Sequence, residues 1–213
     1  MSEFLQFFLH LEQYIEQLAG SQPMLTYFLL FAIVYVESAF FPAAPFLPGD
    51  GLLFIVGVLA AGGILHLWIP IPVLIAGGFL GNLSAYWAGA KLGPGMFNKY
   101  RWLNKSHYRK AYKFYNRYGQ RAMFVSRFVP VVRALVPLIA GIANMNKRRF
   151  NLYNILSVGF WVLTITIASY FLGQHAWIRA HFTWIVFGMV GVSFLPMVYL
   201  FLKKMILGFR GPG

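Results

Sequence analysis

The sequence predicts an all-α integral membrane protein. The expected plan is an inverted repeat with two opposed re-entrant helical hairpins, further transmembrane helices and an N-terminal amphipathic helix. Three observations predict it. Of 213 residues, 59% are hydrophobic and only 11% charged, against about 25% charged in soluble domains. Residues 67–90, 151–172 and 182–202 contain no charge, and each is long enough to cross a hydrocarbon core about 30 Å thick. Basic residues gather in separate clusters, and two proline-broken apolar stretches lie where those clusters forbid simple crossings.

The elements follow in order within a single membrane domain, 1–213. Residues 1–22 form the amphipathic helix, whose Glu3, Glu12 and Glu16 suit a solvated or interfacial face. The start lacks the basic residues of a secretory signal, so the chain is expected to insert through its own spans. The first repeat is 24–90. Its residues 24–41 run into the membrane and break within "ESAFFPAAPFLPGD", residues 37–50, at Pro42, Pro45, Pro48 and Gly49. Residues 51–65 are apolar but short for a span, so a hairpin over roughly 37–65, opening outside, is expected. Residues 67–90 then cross, with Pro70 and Pro72 near the start, where a helix tolerates them.

Residues 91–121 hold nine Lys and Arg and no acid, whereas the first 90 residues hold neither Lys nor Arg. A basic stretch rich in aromatics suits nucleic acid in a soluble protein. In an apolar chain it reads as a cytoplasmic segment touching anionic headgroups. Lys147, Arg148 and Arg149 form a second cytoplasmic cluster, and Lys203 and Lys204 a third. Residues 122–172 make the second repeat. Its apolar part, 122–146, lies between two cytoplasmic clusters and must leave on the side it entered, which calls for a second hairpin turning at Pro130 and Pro137, with Gly141 also assigned to its loop. Broken backbone at that depth survives only where protein or a water-filled cavity covers it. Residues 151–172 then go out, and 182–204 return as a C-terminal transmembrane helix. Two halves with broken helices in matching places resemble the transporter plan, which puts a site near the midplane.

The embedded charges mark that site. With three of the five acids on the N-terminal helix, only Glu37 and Asp50 remain, and both flank the first hairpin loop. Arg127 and Arg133 flank Pro130 in the second hairpin. Intramembrane charge costs several kcal/mol per group and points to function by default; the plain alternative is an ion-pair network that docks the hairpins. A planar guanidinium fork fits phosphate, so Arg127 and Arg133 are candidates to hold a phosphate monoester. Glu37 and Asp50 are candidates for proton exchange or gating. Together they suit a coupled transporter of an anionic amphiphile.

These residues also carry a family resemblance over roughly 24–173. "ESAFFPAAPFLPGD" with "GLLFIVG" after it, "GNLSAYWAGAKLG", "RYGQRAMFVSRFVPVVRALVPLIAG" and "RRFNLYNILSVGFWV" occur in order. In these motifs the chain resembles the DedA family, bacterial relatives of the eukaryotic VTT-domain lipid scramblases. The resemblance implies a multi-pass protein of the bacterial cytoplasmic membrane with two opposed re-entrant hairpins and a lipid-translocating function. Some members recycle undecaprenyl phosphate, the carrier lipid of cell-wall synthesis; others are linked to phosphatidylethanolamine and to dependence on proton motive force. The family's essential acids match Glu37 and Asp50, and its essential arginines match Arg127 and Arg133. The implied partners are a membrane lipid (polyprenyl phosphate or phospholipid), protons and the bilayer, without nucleic acid or cofactor; homo-oligomers are compatible with this.

Other features take structural readings. Gly77, Gly81, Ala85, Gly89 and Gly93 recur every four residues and suit close helix packing. Tyr86, Trp87, Asn154 and Trp161 read as packing and helix-contact residues. Met145 and Asn146 mark the hairpin exit. His175 and His181, six apart without a nearby acid, make no metal site. An enzyme is not expected. "SRFVPVVR" begins like the Ser-Arg motif of a lipid phosphatase, but Arg133 stands where the nucleophilic His is needed and Pro137 where its Asp is needed. A proton-coupled ion antiporter using Glu37 and Asp50, and a lipid-bound scaffold, are the remaining alternatives.

Overall fold

The computed structural model describes residues 15, 17–40, 49–93, 105–128, 130–175, 177, 178, 181, 185 and 188. Most of the N-terminal helix, Pro42, Pro45 and Pro48, residues 94–104 of the basic segment and nearly all of the C-terminal span lie outside the described residues. Those described are helical or irregular, with no strand among them.

α1 spans Pro23–Ala39, α2 Gly49–Ala61 and α3 Pro70–Leu92. α1 and α3 each begin with a proline in the first turn, where its missing N–H leaves no bond unmade. The chain resumes as α4, Lys105–Tyr118. It then runs through a 3₁₀ turn, Gly119–Arg121, to α5, Ala122–Val125, a second 3₁₀ turn, Ser126–Phe128, and α6, Pro130–Arg133. α7 is Val136–Ile142 and α8 Lys147–Gly173.

Length separates these helices. α3, with 23 residues, and α8, with 27, are long and apolar enough to cross a membrane. α2, with 13 residues, rises about 20 Å. The segment 122–142 never forms one continuous helix, being split among α5, α6, α7 and the 3₁₀ turn.

α8 shows which solvent the fold is built for. Its buried residues include Asn154, Ser157, Trp161, Val162, Thr166, Ser169 and Gly173, which recur every three to four residues on one face. Leu152, Ile155, Leu156, Phe160, Leu163 and Phe171 are exposed. Polar and small groups inside with large apolar groups outside is the reverse of a soluble helix, and fits a hydrocarbon surround. Asn146 caps the helix, its side-chain oxygen accepting from the backbone N–H of Arg148 at 3.0 Å and of Arg149 at 3.4 Å.

Two apolar clusters hold the described helices. One joins α1, α2, the first half of α3 and the middle of α8, around Leu30, Val34, Leu52, Leu53, Leu74 and Val158. The other joins Tyr86 of α3 to α5, α6, α7 and Phe150. Close backbone approach makes both possible. A Cβ on Gly77 would sit 2.8 Å from the Phe31 carbonyl oxygen, and one on Gly81 2.6 Å from that of Tyr35. A Cβ on Gly89 would collide with the Leu138 carbonyl, and one on Gly141 with the Tyr86 carbonyl, so α3 and α7 touch backbone to backbone.

The assignments of three glycines and two prolines change. Gly93 packs against nothing within 4 Å; its φ of 62° ends α3, a conformation that favours glycine. Gly141 belongs to helix contact rather than to a hairpin loop. Gly49 is the first residue of α2 and not a loop residue. Pro130 and Pro137 open α6 and α7 rather than forming a turn; the chain turns at Ala134–Leu135 between them, because proline lacks the N–H that a helix interior needs but its first turn does not.

Candidate functional site

Three broken helix ends bring the charges together. Glu37 lies near the C-terminus of α1 and is only 4% exposed. Asp50 is the second residue of α2, a position where the helix dipole favours an acid. Arg133 is the last residue of α6. Its Nη1 donates to both Asp50 oxygens at 2.9 Å, and its Nη2 donates to Glu37 Oε1 at 2.8 Å. One guanidinium therefore bridges two acids that lie 83 and 96 residues away in sequence. The planar fork makes this possible, because its nitrogens diverge in fixed directions.

The start of α2 packs closely against Glu37. A Cβ on Gly49 would overlap the Glu37 carboxylate, so only glycine lets the start of α2 come this near. Glu37 Oε2 has no hydrogen-bond partner among the described residues.

Arg127 sits beside this cluster in different surroundings. Its guanidinium carbon lies 4.9 Å from the centre of the Trp161 ring, within the range of a cation–π contact. Its buried Nη2 has no hydrogen-bond partner among the described residues. Trp161 also serves the acids, its indole N–H donating to Asp50 Oδ1 at 2.7 Å. Arg133 lies farther from the same ring, at 5.7 Å.

Glu37, Ser38, Asn82, Arg127, Arg133 and Ala134 line a cavity of about 10 Å³, enough for roughly one water molecule. Asn82 is fixed by donating to Asn154 Oδ1 at 2.7 Å, and the Asn154 amide donates to the Phe79 carbonyl at 3.0 Å.

The structure thus brings Glu37, Asp50 and Arg133 into direct contact and places Arg127 next to them. Trp161, Asn82 and Ser38 join the site without having been singled out for it. For Trp161 a sequence signal exists: it lies seven residues, two helical turns, after Asn154, so both share the buried face of α8. Asn82 is a buried amide in a charge-free span, which signals a polar partner but not which one. Gly77 and Gly89 lie at helix contacts, and Gly81 packs against Ser38, which lines the cavity.

Comparison with known proteins gives a consistent picture. Residues 47–171 match the VTT domain. Protein DedA of Escherichia coli (strain K12) is 30% identical over 198 residues, 91% of this chain and 90% of that protein. Inner membrane protein YqjA of the same strain is 38% identical over 151 residues, 70% of this chain and 68% of that protein. An uncharacterised membrane protein of Mycobacterium leprae (strain TN) is 31% identical over 166 residues, 77% of this chain and 74% of that protein. No solved structure matches the chain.

Proposed function

Since the chain belongs to the VTT-domain (DedA) family of membrane proteins, we propose that it translocates a phosphate-bearing lipid across the bacterial cytoplasmic membrane. Undecaprenyl phosphate is the cargo that fits best, because its headgroup is a bare phosphate and its tail can stay in the bilayer. The observation that carries this reading is the partly buried cluster of two acids and two arginines, in which Arg133 is already shared by Glu37 and Asp50. An arriving phosphate must compete for donors, and protonation of one acid frees them. A buried charge left without a partner costs several kcal/mol, so lipid binding and proton uptake are linked.

In this reading Arg127 and Arg133 hold the phosphate, Glu37 and Asp50 exchange protons, and no bond in the lipid is made or broken. The helices around the site belong to two opposed re-entrant hairpins of an inverted repeat. The split of 122–142 and the shortness of α2 support that plan. The N-terminus, residues 91–121, residues 147–149 and the C-terminus face the cytoplasm, and His66 and residues 173–181 face outside. Phosphatidylethanolamine is the second candidate cargo, favoured by the presence of acids beside arginines: such a set complements an ammonium as well as a phosphate.

The test is lipid flipping by proteoliposomes, comparing undecaprenyl phosphate with phosphatidylethanolamine across pH. Arg133→Lys should lose most activity although it keeps the charge, because it loses the fork. Asp50→Asn should flatten the pH dependence. Wild-type rate and pH dependence in both folded variants would refute the mechanism and leave the cluster a purely structural one.

A further inference from the structure

Trp161 touches both halves of the charge cluster. Its indole N–H holds Asp50 Oδ1 at 2.7 Å, and its ring carries the Arg127 guanidinium at 4.9 Å. The residue is only 6% exposed and belongs to the same apolar cluster as Leu52, Leu53, Val158 and Val162. A rigid ring so confined cannot lose one contact without shifting the other. Arg127 is the group that needs such support, since its Nη2 lacks a hydrogen-bond partner among the described residues.

We propose that Trp161 is a positioning residue that relays the engagement of Asp50 to Arg127, holding that guanidinium at the cavity edge to receive a lipid phosphate. The proposal rests on the phosphate-lipid reading above and adds a link between its two ends. The charged groups facing Asp50 are Arg133 from α6, Glu37 from α1 and Arg127 from the 3₁₀ turn; α8 itself contributes no charge between residues 151 and 172. When a phosphate draws Arg133 away, Asp50 keeps the indole N–H as its donor. The ring then stays in register under Arg127 while the lipid is bound. When the side chain at position 50 is neutral, as in Asp50→Asn, its hold on the indole weakens and Arg127 loses its fixed seat.

The relay can be read without transport. Protein in nanodiscs, labelled with ¹⁵N in its six tryptophans, gives indole N–H signals, and Trp161→Phe identifies that of Trp161 by its loss. The expected result is that Asp50→Asn and Arg127→Gln each displace this signal while that of the distant Trp177 stays in place. A Trp161 signal indifferent to both would overturn the proposal. Titration with farnesyl phosphate, a short polyprenyl monoester, gives the second readout. Trp161→Phe keeps the ring but loses the N–H and should weaken binding about tenfold. Trp161→Leu also loses the cation–π contact and should weaken it roughly a further fivefold. Wild-type affinity in both variants would overturn the relay while leaving the phosphate reading in place. A wild-type protein that binds no farnesyl phosphate, yet whose Trp161 signal answers to Asp50 and Arg127, would support the relay and refute the phosphate reading.

Discussion

Arg133 and Arg127 are six residues apart in one broken segment, yet they occupy opposite situations. Arg133 spends its fork on two carboxylates, with all three bonds at 2.8–2.9 Å. Arg127 rests on an aromatic face and keeps a buried nitrogen without a partner among the described residues. The difference teaches that four embedded charges need not form two equal pairs. One arginine bonds both acids and ties α1, α2 and α6 together. The other leaves a buried donor unused among the described residues.

The sharpest way to break this comparison is to remove each arginine in turn. Arg133→Gln leaves Glu37 and Asp50 facing each other without their shared donor, and should destabilise the fold by about 3–5 kcal/mol. Arg127→Gln loses chiefly a ring contact and should cost about 1 kcal/mol. Denaturation of purified protein in detergent, followed by circular dichroism, checks this. Equal losses would mean that the arginines are interchangeable.

A smaller effect is expected on the Arg133 side alone. Gly49→Ala puts a methyl where the Glu37 carboxylate lies, and the resulting overpacking should cost about 1–3 kcal/mol. Gly159→Ala, on α8 with nothing within 4 Å, is the control; there the better helix propensity of alanine should leave stability unchanged or raised by under about 1 kcal/mol. If the two substitutions melt alike, the close approach of α2 to Glu37 is wrong.

The smallest effect belongs to the Arg127 side. Asn154→Ala removes the acceptor of the buried Asn82 amide and should cost about 1 kcal/mol. It should weaken phosphate-lipid binding through Asn82, which lines the cavity, without altering the acids. The double variant Asn82→Leu, Asn154→Leu should recover part of the stability, because no buried amide is then left unpaired. A double variant less stable than Asn154→Ala would show that the pair does more than satisfy itself.

Much of this was legible in the chain. The scarcity of charge and the apolar runs dictated a membrane protein, because a hydrocarbon core tolerates nothing else over such lengths. The ordered motifs carried the family, and Glu37, Asp50, Arg127 and Arg133 stood out because embedded charge is costly and rare. These properties depend on composition and order along the chain. Which arginine meets which acid depends on how helix ends far apart in sequence approach one another, and only the tertiary structure decided that. It brought α2 against Glu37 through Gly49, and it gave Arg133 to both acids. It turned Gly89 and Gly141 into one backbone contact, and it moved Trp161 from helix packing to the centre of the site. Hydropathy treats tryptophan as bulk; its N–H and its ring face acquire separate roles only when a carboxylate and a guanidinium are folded against them.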